Sequence, residues 1–225
     1  MSDQRTSWFG RYLVVGIIWG CSFLFIALAN TFLPAAGVAF WRMALGATPM
    51  AIIMLVRRAR VPRETATWMK LAIVSLGMNA IPAVLFAYAE QHVTSAFAGI
   101  MNAATPIATL LMILLIFREE RPSARVLAGL AIGLIGVLIV LNIWSGLGEN
   151  EPTAVLALLG AVLLYGVTGP FARRYISPLK LDYSVQITAQ ISMAAVMLLP
   201  VYLSGPLMVG TPTLAGIVGI VGLGV

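Results

Sequence analysis

Residues 35–90 read AAGVAFWRMALGATPMAIIMLVRRARVPRETATWMKLAIVSLGMNAIPAVLFAYAE. Two long apolar runs, 35–56 and 67–89, flank one short basic connection. A helix needs about 20 apolar residues to cross roughly 30 Å of hydrocarbon, and each run has that length. The connection holds Arg57, Arg58, Arg60 and Arg63, with Lys70 just inside the second run. Such a pattern describes two antiparallel membrane helices joined on the side where cations collect.

The same reading extends in both directions. Spans are expected at 11–30, 35–56, 67–89, 94–117, 124–144, 153–173 and 183–203, with an apolar tail at 213–225 that is too short to cross. Arg5 and Arg11 precede the first span. Arg118, Arg121 and Arg125 follow the fourth, and Arg173, Arg174 and Lys180 follow the sixth. Of the 14 basic residues only Arg42 lies away from the expected cytoplasmic edge. The alternate connections, 31–34, 90–93, 145–152 and 204–212, hold Glu90, Glu149 and Glu151 but neither Lys nor Arg. By the positive-inside rule the N-terminus is expected in the cytoplasm, in a multi-pass protein of the inner membrane. The opening MSDQRTSWFGR is not read as a cleaved signal peptide, because a full-length apolar run follows it.

Composition agrees. The 225 residues are 60% hydrophobic and 10% charged, with a mean hydropathy of +0.99, whereas soluble domains run near ~25% charged. The net charge of +6 sits in short loops, so no nucleic-acid partner is expected. One cysteine, Cys21, and one histidine, His92, exclude a disulfide and a clustered metal site. No cofactor is expected. No GxxxxGK[ST] string and no Ser/His/Asp or Cys/His set can be assembled, which argues against an ATP-driven pump, a hydrolase or any enzyme.

Span one carries IIWGCS at 17–22 and span six LLYGVT at 163–168. Each places an aromatic, a glycine and a small hydroxyl residue near mid-membrane. A five-helix offset reverses orientation, so the expected fold class is an all-α integral membrane protein, a polytopic helical bundle of inverted five-helix repeats. The first repeat is assigned to 1–147 and an incomplete second to 148–225, with the chain expected to continue beyond Val225. Gly129 and Gly133 form a GxxxG pair open to two uses, a homodimer contact or tight packing within the chain, the second being preferred.

The stretch 94–140, TSAFAGIMNAATPIATLLMILLIFREERPSARVLAGLAIGLIGVLIV, resembles the fourth and fifth helices of EamA-type permeases of the drug/metabolite transporter superfamily. The resemblance rests on Ser95 and Ala96, Pro106, the acidic pair Glu119 and Glu120, and Gly129 and Gly136. Trp19, Gly20 and Arg42 are similar to that family's first half. It implies ten helices in two inverted halves around a central cavity, and the export or exchange of small metabolites, amino acids among them.

Polar groups at mid-depth are costly in lipid and are the first candidates for function. At about 1.5 Å per residue, Trp19, Asn79 and Tyr165 lie ~12–13 Å from the basic edge, at one level. Asn102 falls nearer the outer face. These four are the expected substrate contacts, with packing between helices as the competing role. Arg42 is a carboxylate partner on the functional reading. The preferred reading is structural, since the resemblance puts it on a helix outside the main cavity. Gln186 and Gln190 mark a helix face turned from lipid. Pro82 and Pro106 are expected to bend spans three and four, and Gly169 and Pro170 are the strongest candidates for a broken or hinged helix. Glu90 and His92 are expected to be wet loop residues rather than proton carriers. No carboxylate falls within a span, which favours a facilitator. The charged run Arg118, Glu119, Glu120 and Arg121 is read as fixing a turn. The function expected is export of a small metabolite by alternating access, with membrane lipid as its other partner. A non-transporting protein, such as a lipid-handling or assembly subunit, is the competing class.

Overall fold

The structure is a computed structural model that describes residues 3–117, 122–141, 144 and 150–224. The charged run Arg118 to Arg121 and Glu149 lie outside the described residues. Among the described residues ten α-helices follow one another: α1 Asp3–Ala29, α2 Ala35–Val56, α3 Thr65–Ser75, α4 Ile81–Ala89, α5 Ser95–Asn102, α6 Thr105–Met112, α7 Ala124–Val140, α8 Pro152–Tyr175, α9 Tyr183–Leu203 and α10 Leu214–Gly224. No strand occurs among the described residues. Six segments are long and apolar enough to cross a membrane: Phe9–Ala29, Ala35–Val56, Thr65–Ala89, Ser95–Ile116, Pro152–Leu179 and Tyr183–Leu203. The fifth span, expected over 124–144, is described as a helix of 17 residues, Ala124–Val140, shorter than the other six among the described residues.

Leu55, Val56, Ile132, Leu156, Val196 and Leu214 all stand exposed. So much outward apolar surface is untenable in water and ordinary against acyl chains. Inside, small residues let backbones meet. A Cβ on Gly166 of α8 would come 2.8 Å from the Ala108 carbonyl carbon of α6, and one on Gly219 of α10 would come 2.8 Å from Leu28 of α1. By contrast, among the described residues nothing comes within 4 Å of a Cβ on Gly129, Gly133 or Gly136 of α7, and α7 buries no residue. The preferred reading of the GxxxG pair as packing within the chain is therefore corrected.

Two spans are interrupted. Between α3 and α4 the chain winds as a π-helix over Leu76–Ala80, where the amide of Ile81 donates to the Leu76 carbonyl five residues back. Pro82 follows at the start of α4. It has no N–H to offer, and its ring would strike the carbonyl four residues earlier. A wide turn ahead of it relieves that conflict. Span four breaks between Asn102 and Thr105. Pro106 lies in the first turn of α6, where a missing N–H costs nothing. The Thr105 hydroxyl donates to the Asn102 carbonyl at 2.7 Å. Span six does not break: α8 runs unbroken through Gly169 and Pro170, with Pro170 buried. Its close contact with α6 at Gly166 supports the helix where the proline weakens it.

Candidate functional site

Where α3/α4, α5/α6 and α8 face α1 and α2, they enclose a cavity of about 1260 Å³. Its walls take Trp19 from α1, Arg42 from α2, Asn79 from the π turn, Asn102 from the end of α5, Tyr165 from α8 and Gln190 from α9. The four expected substrate contacts thus share one space, joined by Pro106 and Gly169. Pro82 is buried below the π turn and Pro170 within α8, away from the wall. Arg42 lines the cavity, whereas the resemblance put its helix outside it. A single arginine inside an apolar run could not reveal which way its helix would turn.

The two interruptions explain how polar groups reach this wall. Irregular backbone at membrane depth survives only where protein or a cavity covers it. Asn102, Ala103, Thr105 and Pro106, the residues around the break in span four, all border the cavity. So do Met78 and Asn79 of the π turn.

The two ends of the cavity differ. Tyr12, Ser123 and Val126 line it at one end, where every described side chain of α1 from 9 to 20 is exposed, Trp19 at 64%. With α1 so exposed, that end is the open one among the described residues. At the other end the helices are tied together. Asn30 Nδ2 donates to the Ala87 carbonyl at 2.8 Å, and the Tyr88 hydroxyl donates to Thr153 Oγ1 at 3.1 Å. His92 Nδ1 lies 2.8 Å from Glu151. Beneath these ties Phe86 meets Phe23 edge-on at 5.7 Å and Tyr165 in a stack at 6.1 Å.

Among the described residues Arg42 makes no ion pair. It is a half-buried cation facing a space walled by aromatics, carboxamides and the hydroxyls of Ser22 and Thr109. Glu90, expected to be wet, is 8% exposed. Ser95 Oγ donates to its Oε2 at 2.9 Å, and burial pushes the carboxyl up to about 8. His92 is partly exposed and engaged with Glu151. Sequence reasoning missed Glu90 because it sits one residue past a span and reads as a loop. Its spacing from Phe86, an i,i+4 neighbour that packs inward, was the available signal.

A helical bundle with exposed apolar flanks, around a largely apolar central cavity that carries a few polar side chains, describes a polytopic membrane protein. The chain belongs to the EamA-like transporter family, which matches residues 8–142. A protein solved by crystallography is similar with a TM-score of 0.66 at 17% identity, over 92% of this chain and 74% of that one. It supports the fold alone. No curated protein matches this chain. Family and bundle together make it a multi-pass membrane transporter of small molecules.

Proposed function

We propose that the protein carries small amphipathic carboxylates, amino acids first among them, out of the cell by alternating access. One observation carries this reading: an arginine that makes no ion pair among the described residues faces a space of about 1260 Å³ whose wall includes aromatic and carboxamide side chains. A guanidinium offers a carboxylate two parallel N–H donors. Asn79, Asn102 and Gln190 can orient the remaining polar atoms, while Trp19 and Tyr165 cover the apolar part. A non-transporting, lipid-handling protein would use its polar groups for packing, and a cavity at the level of Trp19, Asn79 and Tyr165 favours transport over it. With the basic loops in the cytoplasm of an inner-membrane protein, the open end faces inward and the tied end outward.

The inverted repeat belongs to the same proposal. Its support is that α1 packs on α10 as α8 packs on α4, while α2 packs on α9. Each of the first two pairs maps on to the other when spans are shifted by five. Pro106, Gly169 and the proline-linked π turn are the proposed points of bending, Pro106 and the turn being the better supported. For a second copy of the chain the support is the open face of Gly129 and Gly133.

The test is efflux from proteoliposomes loaded with a panel of amino acids. Protein-containing vesicles should release at least one of them faster than empty ones, and Trp19→Ala should slow that release. Equal rates across the panel refute the proposal.

A further inference from the structure

The cavity is polar towards its tied end and apolar towards its open one. Bonds level the helices at the tied end: Asn30, just past α1, donates to the Ala87 carbonyl of α4, and Tyr88 donates to Thr153 in the first turn of α8. There α1 and α4 finish and α2 and α5 begin. Counted from those helix ends at about 1.5 Å per residue, Ser22, Arg42 and Asn102 each stand ~11 Å deep, and Trp19 and Asn79 ~15 Å. Leu110 of α6 and Ile113 just after it lie ~22 and ~27 Å from the start of α5. A contact fixes that depth independently, because Ala108 meets Gly166 of α8, ~21 Å from the start of that helix. All the residues so placed by counting border the cavity, and Val126 and Leu130 of α7 border it with them. Among the described residues the wall holds no charged side chain other than Arg42.

A ligand with a carboxylate at one end and a hydrocarbon chain at the other fits such a gradient in one direction. Carboxylate first, its charge meets the guanidinium and its chain lies towards Leu110 and Ile113. Reversed, the carboxylate is stranded among apolar side chains while Arg42 faces alkyl carbon, and both charges lose solvation without gaining a partner. We propose that amino acids enter the cavity carboxylate first, so that it selects those with long apolar side chains and Leu110 is a residue that sets this preference. This orientation rests on the transport reading of the cavity and adds to it the ligand's direction and the class of side chain. A short side chain stops near Trp19. A longer one reaches Leu110 and gains burial there as well. Tyr12, Ser123 and Val126 border the open end, so a lengthening chain meets no closed wall among the described residues.

Calorimetric titration of the purified full chain in detergent with alanine, norvaline, norleucine and 2-aminooctanoate measures the gain from each added length of chain. Heats of transfer into empty micelles are subtracted. Wild-type affinity should rise by about fourfold per methylene, the effect of burying one CH₂. Arg42→Gln should lower every member by a similar factor and keep the slope. Leu110→Asn should flatten the series, the longest members losing most. Should that variant not fold, Leu130→Asn takes its place, because Leu130 borders the same cavity from a helix that buries no residue. A flat wild-type series, an unchanged slope in the folded leucine variant, or an Arg42→Gln variant that spares the short members overturns the carboxylate-first orientation and leaves the transport reading standing. Failure of the whole series, and of every other amino acid in the panel, to bind overturns both.

Discussion

Two glycines one helical turn apart on α8 should respond in opposite ways to the same added methyl group. A Cβ at Gly166 would lie 2.8 Å from the Ala108 carbonyl carbon, 2.9 Å from its oxygen and 3.1 Å from its Cβ. Two of those three atoms are backbone and cannot swing aside. Ordinary contact begins near 3.4 Å, so α6 and α8 must part by several tenths of an ångström. Overpacking of this kind costs about 1–3 kcal/mol. At Gly169 nothing lies within 4 Å, and replacing a helical glycine by alanine gains up to about 1 kcal/mol. Gly166→Ala should therefore lower the melting temperature in detergent, while Gly169→Ala should leave it level or raise it. Because α6 and α8 both border the cavity, Gly166→Ala should also weaken leucine binding. Equal melting temperatures for the two variants would refute the packing of α6 on α8 described above. Loss of fold in Gly169→Ala would instead show that α8 bends there.

Arg42→Gln should weaken binding of an amino-acid carboxylate roughly tenfold to a hundredfold, from the ~1.5–3 kcal/mol of a hydrogen bond to a charged group; calorimetry checks it. Glu90→Gln should flatten the dependence of melting temperature on pH. A carboxyl whose folded value is raised from 4.5 to about 8 binds more protons when folded, so the wild type loses stability as pH climbs through that window, by at most about 5 kcal/mol. Asn30→Ala should cost about 1–3 kcal/mol in a melt, because the Ala87 carbonyl loses its donor at a buried residue. In a Cys21→Ser background, a membrane-impermeant maleimide added from outside should label Gln91→Cys and spare Ala59→Cys; the reverse pattern would invert the topology.

The bundle was legible because its signals are extensive. Apolar length and the placement of Arg57 to Arg63, Arg125 and Arg173 repeat at every crossing, and one misplaced helix would have scrambled them. Trp19, Asn79, Asn102 and Tyr165 were legible as candidates because polar atoms at mid-depth are expensive. What could not be read was direction. Asn79 faces the cavity by way of a π turn whose extra winding no periodicity records. Arg42 depends on the rotation of α2, which close packing on α9 sets. Gly169 and Pro170 do not break α8 for the opposite reason: a proline weakens an isolated helix, but the contact at Gly166 supports this one. Glu90 was lost at a boundary, since an end residue can point into the bundle as readily as into water.

The wide turn at Leu76–Ala80 puts α3 and α4 out of phase with each other. A residue removed there would let the span wind evenly, yet it would rotate everything on one side of the cut by roughly 100°. Ala83 and Phe86 would leave the core, or Leu71 and Val74 would. Point substitutions can tune the chemistry at Asn79, but a deletion at this place would re-aim half a transmembrane segment at once, so length there should tolerate change far less well than identity.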